Sequence, residues 1–527
     1  MSRPEAGFQK KSAADPRGAG ALGAGRRRAV LVVMCLALAV VVGMMTSLMV
    51  AVPDMARDLG AGESDLQWVV NAYGVVFAGL LLPGGALGDR YGRKGVLLAG
   101  LLIFGLASAG TAVVDDVGWV ILLRAVAGVG AALVMPMTLS IITHVFPPED
   151  RGRAIGVWSG VTVGGAMGAV LISGGLLEMY TWRSVFVVNV VLAAAALIGV
   201  LVAAPASKDS GAAPLDIGGG LLSVLGVGAL VFAIVEGPER GWTSAPVWIA
   251  FLLGVAGLIA FVPWELRRRH PLLDPRMFRH RGLSAGALVI TAEALAMFGF
   301  FFLGLQYLQE ILGYSPLKAG FAIMPLAVGA MLFSPSAPKV ARRFGMRPVV
   351  GLGMALIAAG LAIMAVLDSG SGYLPVLCGA LLMGSGIAFA ATPATEAIVT
   401  ALPPGKQGVA SALNDITREL GGVLGIAILG SVFNSTYRRE AADAAEGLPA
   451  PSSEAIRDSL VSALRIAGDL GGARGAELAE GARSAFTSGM ADAVLGGFAV
   501  VVLGGAAAVW LMPRRARKPK TGADTAD

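Results

Sequence analysis

The chain has little of what most enzymes and soluble domains depend on. Of its 527 residues only 14% are charged, against about 25% in an ordinary soluble domain. There are two cysteines, Cys35 and Cys378, each inside an apolar run, so no disulfide framework is implied. His144, His270 and His280 fall near loops without the spacing of metal ligands, and no metal or cofactor is expected. No Gly-x-x-x-x-Gly-Lys-Ser/Thr loop occurs, which argues against an ATP-driven pump. The net charge is +6, but the bases sit in short loops and form no continuous face, which argues against nucleic acid. No catalytic constellation emerges, and the chain is not expected to be an enzyme.

What the sequence does have is hydrocarbon. Hydrophobic residues make up 56% of it, in runs long enough to cross about 30 Å of bilayer at 1.5 Å per residue. A bilayer offers no water to free backbone groups, and the runs are too long for barrel strands, so they must be helices. An all-α integral membrane protein follows. About fourteen spans are predicted, at roughly 29–52, 66–88, 95–114, 118–142, 154–177, 184–204, 214–236, 245–264, 283–309, 317–338, 348–367, 373–396, 407–433 and 489–512.

Lys and Arg collect in alternate loops: Arg90/Arg93/Lys94, Arg151/Arg153, Lys208, Arg267–Arg269 with Arg276/Arg279/Arg281, Lys339/Arg342/Arg343/Arg347, Lys406, and the tail Arg514 to Lys520. By the positive-inside rule those loops and both termini are expected in the cytoplasm. The division expected is a disordered tail 1–28, a six-helix bundle 29–204, two linker helices and a basic loop 205–282, a second six-helix bundle 283–512, and a basic tail 513–527. The connection 434–488 is polar and long and reads as a solvated outer excursion; Ile456, Leu460 and Leu464 recur in it at helical spacing, which suggests a short amphipathic helix on the outer face, with a cap over the exit as the alternative.

"GALGDRYGRKG" (85–95) packs one acid, three bases and four glycines between two apolar runs. Its "YGRK" (91–94) is echoed by "FGMR" (344–347), with Arg342 in the place of Asp89. Weak similarity between halves is what parallel repeats leave in transporters. The first stretch resembles the loop between helices two and three of the major facilitator superfamily. "RAVAGVGAALVMP" (124–136) resembles its fourth-helix motif. "QWVVNAYGVVFAGLLLPGG" (67–85), "QYLQEILGYSPLKAG" (306–320) and "GKQGVASALNDITRELGGVLGIAILGSVF" (405–433) are similar to the fourteen-helix drug:proton antiporter group.

The resemblance implies two pseudo-symmetric six-helix bundles with two extra central helices, and a cytoplasmic gate at the opening stretch. Asp89, Arg90, Arg93 and Lys94 would pair in one conformation and part in the other, with Gly85 and Gly92 allowing close approach and turning. It also implies that Arg124 belongs to the proton or substrate relay. Two signatures are missing. The Gly-Pro-x-x-Gly-Gly of helix five reads "GAMGAVLISGG" (165–175), and the first-helix acid and Asn are replaced by Met44 and Met49 in "MMTSLM". Helix five still carries Gly156, Gly160, Gly164 and Gly168 at a spacing of four, a stripe suited to backbone contact.

Ionisable side chains inside hydrocarbon mark pathways, because each costs ~2.5–3.5 kcal/mol at mid-helix. Glu293 stands about ten residues into its span, ~15 Å deep, where a carboxyl is suited to exchanging protons near neutral pH. Arg124 and Glu396 are further candidates, and Asn414, Asp415 and Arg418 share a helix stretch in which Asp415 and Arg418 can pair. Met297 and Phe300 lie on the Glu293 side of their helix and, with Met44, are candidates to line an apolar cavity. The function expected is proton-coupled export of amphipathic or cationic organic compounds across the cell membrane by alternating access. A gradient-coupled carrier for one metabolite, or a sensor that no longer transports, stays open. The expected partners are a small-molecule substrate, protons and the lipid bilayer, with the chain acting as a monomer.

Overall fold

A computed structural model describes residues 23–206, 216–269, 271, 273–334, 336–400 and 407–512. Residues 1–22, Lys208, His270, Lys406 and the basic tail from 513 lie outside the described residues, as do the side chains of Asp89, Arg151 and Arg153 and the surroundings of Gly156 and Gly160.

The first six helices are α1 (Ala24–Leu59), α2 (Glu63–Tyr91), α3 (Arg93–Thr111), α4 (Val117–Val145), α5 (Pro148–Leu177) and α6 (Arg183–Ala203). A hairpin follows, α7 (Ile217–Arg240) and α8 (Ala245–Arg267). The rest comprises α9 (Arg281–Gln306), α10 (Pro316–Phe333), the short α11 (Ala337–Phe344), α12 (Met346–Met364), α13 (Tyr373–Thr400), α14 (Gln407–Ala444), α15 (Ala450–Asp458), α16 (Leu460–Leu470) and α17 (Gly472–Leu511). Among the described residues, twelve helices are long and apolar enough to cross a membrane. With 29 and 30 residues, α2 and α5 occupy the other two expected spans. The chain is a multi-pass membrane protein.

Two sets of six helices repeat one arrangement. In the first, α4 packs on α2 and α3, α1 on α5 and α6, and α3 on α6. In the second, α13 packs on α10 and α12, α9 on α14 and α17, and α12 on α17. The turns that echo one another in sequence also match in backbone: Gly92 has φ 115° and Gly345 has φ 93°, a region closed to most side chains. Each of these glycines precedes the first residue of the next helix, α3 or α12.

The α7–α8 hairpin lies against α2 and α14, one helix from each half. Trp68 Nε1 donates to Glu236 Oε1 (3.0 Å) and Ser64 Oγ to the Val235 carbonyl (3.3 Å), tying α7 to α2. Toward α14 the contacts are apolar, Val231 and Val235 meeting Val423 and Ala427.

Two expectations change. Helix α1 begins at Ala24, inside the tail expected over 1–28, and Arg26–Arg28 form its first turn ahead of the apolar stretch. The segment 434–488 is helical nearly throughout rather than a solvated loop. At 38 and 40 residues, α14 and α17 reach about 57 and 60 Å at 1.5 Å per residue, well past a bilayer's hydrocarbon. Their ends, with α15 and α16, form a cap. Ile456 and Leu460 are buried in it, and the Tyr437 hydroxyl donates to the Ile456 carbonyl (2.9 Å). Arg438 pairs with Glu454 and Asp458. Burial pushes the Asp458 carboxyl above its usual range, and Arg438 opposes the shift.

Candidate functional site

Buried and half-buried charge converges between the two halves. From α4, Arg124 is fully buried; its Nε donates to the Val69 carbonyl (2.9 Å) and its guanidinium lies 4.5 Å from the centre of the Tyr73 ring. Its other two nitrogens have no hydrogen-bond partner. The Tyr73 hydroxyl donates to the Val41 carbonyl (3.1 Å), fixing the ring that carries the cation. From α9, Glu293 is 4% exposed and its Oε2 has no partner.

From α14, in the same half as α9, come Asn414, Asp415, Arg418 and Glu419. Asn414 Oδ1 accepts from Thr395 (3.0 Å), joining α14 to α13. Arg418 is within electrostatic reach of Glu293, Asp415 and Glu419. Glu419 in turn acts on Tyr73, as does Arg124. The structure therefore brings Arg124, Glu293, Asp415 and Arg418 into one group through two members that sequence reasoning passed over, Tyr73 and Glu419. The available signal was position: Glu419 is the acid next to Arg418, four residues after Asp415 and so on its face of the helix. Glu396, by contrast, is exposed near the end of α13. Met44 and Phe300 are fully buried and Met297 partly so.

At the opening motif, Lys94 Nζ donates to the Leu201 carbonyl at the end of α6 (2.9 Å), and Arg90 lies over the Tyr91 ring. Arg93 begins α3 directly after the Gly92 turn. Close approach here involves Gly84 and Gly88 rather than Gly85. A Cβ on the first two would collide with Ala132 and Met137, whereas one on Gly85 would meet Pro136 at an ordinary 3.7 Å. On α5, Gly164 and Gly168 face open space. The tight contacts are made by Gly165 on Ala39 and by Gly174 on Leu317, because the neighbours α1 and α10 approach a different face.

The halves are joined at the end that carries α15 and α16. Arg57 at the end of α1 pairs with Glu310, Gln309 Nε2 donates to the Val50 carbonyl (3.2 Å), and Ser315 Oγ donates to Glu178 (2.6 Å). Gln306 Nε2 reaches the buried Glu63 at 3.5 Å. The cap seals this junction, with Leu460 and Val461 meeting Pro53, Glu63 and Gln306 around a small cleft. A buried group of both signs, closed off from one end, is an arrangement that can hold an ion or polar ligand between two rigid bodies.

Known proteins share this architecture. The chain is similar to the multidrug resistance protein Stp of Mycobacterium tuberculosis (strain CDC 1551 / Oshkosh), 33% identical, over 73% of this chain and 72% of the relative. It is 36% identical to the puromycin resistance protein pur8 of Streptomyces alboniger, over 75% and 79% of the two chains. In three dimensions it matches the inward-facing, unoccupied structure of a bacterial homolog of the human lysosomal transporter Spinster. That match has a TM-score of 0.60 at 18% identity, covering 94% of this chain and 100% of the other. Residues 34–426 fit the family model described as Major Facilitator Superfamily, and the chain belongs to that superfamily.

Proposed function

We propose that the chain exports amphipathic or cationic organic compounds, drugs or antibiotics among them, across a bacterial cytoplasmic membrane in exchange for protons. It acts by alternating access as a non-enzymatic carrier. The observation that carries this reading is the buried group between the halves. Glu293 and Glu419 each hold a carboxylate oxygen without a partner, and Arg418 lies within reach of both. A carboxylate in that setting can accept a proton or face an organic cation, one excluding the other, which is the competition an antiporter needs. The resistance relatives Stp and pur8 supply the class of cargo.

In this reading the Lys/Arg-rich end faces the cytoplasm and the cap faces outward, so the structure is closed to the outside. Asp89 acts as the acid of a cytoplasmic latch with the bases that follow it. The test is accumulation of fluorescent cationic dyes by cells expressing the chain, with and without a protonophore. Lower accumulation that the protonophore reverses is expected. Unchanged accumulation across a panel of cations and antibiotics would remove the export reading in favour of a carrier for one metabolite.

A further inference from the structure

The helices α2 and α14 belong to different halves and meet along a seam that runs from the level of Glu419 toward the cap. Glycines set its closeness. A Cβ on Gly74 would lie 2.6 Å from Val423 Cγ2, and one on Gly430 would lie 2.5 Å from Gln67 Cδ. Those pairs fix an antiparallel register in which Gln67 opposes Gly430 and Gly74 opposes Val423. Asn71 falls between the pairs on the same face of α2, four residues after Gln67.

This seam is not chemically closed. Gln67 and Asn71 are 0% and 1% exposed, and in each both amide atoms lack a hydrogen-bond partner. On α14, Asn434 is 2% exposed with an unpartnered Oδ1, and Glu419 has an unpartnered Oε2. Their neighbours Val75, Val423 and Ala427 are apolar and well packed. An interface that stayed shut would gain by having apolar side chains at the amide positions too, because a buried polar atom forfeits the hydrogen bond water would give it.

We infer that Gln67, Asn71 and Asn434 line the exit side of the translocation path, and that the seam opens so that their amides meet water and the passing substrate. In the closed form they make the interface less favourable, so that it reopens after each cycle. The α7 hairpin permits the movement: its hydrogen bonds go to Ser64 and Trp68 of α2, while α14 touches it through valine and alanine. It travels with α2, and the α14 contact slides. This inference rests on the alternating-access reading above and assigns it three residues.

The experiment uses full-length protein with Cys35→Ser and Cys378→Ser, in cells and in proteoliposomes. Ala427→Cys reports from the middle of the seam, where Ala427 is 0% exposed, and Ser453→Cys on α15 marks the cap side. A membrane-impermeant maleimide is expected to label Ala427→Cys from the side that labels Ser453→Cys, and faster during turnover. Adding Gln67→Leu and Asn71→Leu should slow that labelling and lower turnover by at least about fivefold. If the double variant does not accumulate, Asn71→Leu alone is read the same way. An Ala427→Cys protein that transports yet never labels overturns the inference, as does a leucine variant with unchanged labelling and turnover. Labelling without transport of any probe would instead defeat the export reading and leave the seam inference standing.

Discussion

The two halves solve packing alike and chemistry differently. Where α3 crosses α4, a Cβ on Gly130 would lie 2.7 Å from the Gly100 carbonyl oxygen; where α12 crosses α13, one on Gly386 would lie 2.5 Å from that of Gly353. The turns before α3 and α12 share a left-handed glycine. Charge does not repeat. In the group between the halves, among the described residues, the first half contributes a cation, Arg124, against an aromatic ring, while the second gathers Glu293, Asp415 and Glu419 around Arg418. Close backbone packing sets the shape of a rigid body. The ionisable groups sit where the bodies face each other and do not have to match for the shapes to match.

The largest effect expected tests the shared packing. Gly130→Leu and Gly386→Leu each force a side chain into a backbone carbonyl and should cost about 3 kcal/mol. Both should lose most folded protein, read as monodisperse yield after detergent extraction. Tolerance in one half alone would break the equivalence.

Next comes the charge asymmetry. A lysine cannot reproduce the Arg124 fork between the Val69 carbonyl and the Tyr73 ring, so Arg124→Lys should lower the efflux rate by roughly 10- to 100-fold at normal protein level. Arg418→Lys keeps a point charge near its three acids and should lose less. Equal losses would mean that Arg418 is also read by shape.

The paired turns give a sharper contrast. Asp89→Asn should reduce transport about tenfold, because a latch needs its acid to bias the two conformations. Arg342→Gln, at the matching place before α12, should change it less than about twofold, since it holds no acid to lose. A modest effect is also expected at the closed end. Arg57 is half-exposed, and Arg57→Gln should alter transport by less than about fivefold, with the difference fading in high salt.

The spans and the internal repeat were legible because they rest on length, hydropathy and glycine at a turn, all local properties. The inner face of each helix was not. A helix that is apolar all round shows no polar face by which to tell lipid from partner, so Gln67, Asn71 and Tyr73 stood in a recognised motif without a direction. The α5 stripe illustrates the limit: spacing by four put Gly164 and Gly168 on one face, but only the neighbours reveal that Gly165 and Gly174 make the contacts. The cap was legible only as an alternative, for another reason. Its Ala, Glu and Arg composition suits a solvated loop and a helix equally, and the protruding ends of α14 and α17 decided for the helix.

We propose that proton coupling runs through Glu293, an acid without a counterpart in the apolar stretch of the matching helix α1. That coupling is tested by substrate-induced loss of a pH gradient in inverted vesicles holding wild type or Glu293→Gln. Wild type should dissipate the gradient when a cationic substrate is added. Glu293→Gln, similar in size, should bind a cationic substrate more weakly, through the remaining Glu419, and leave the gradient intact. A variant that dissipates the gradient as wild type does would contradict the account and make Glu293 a structural residue.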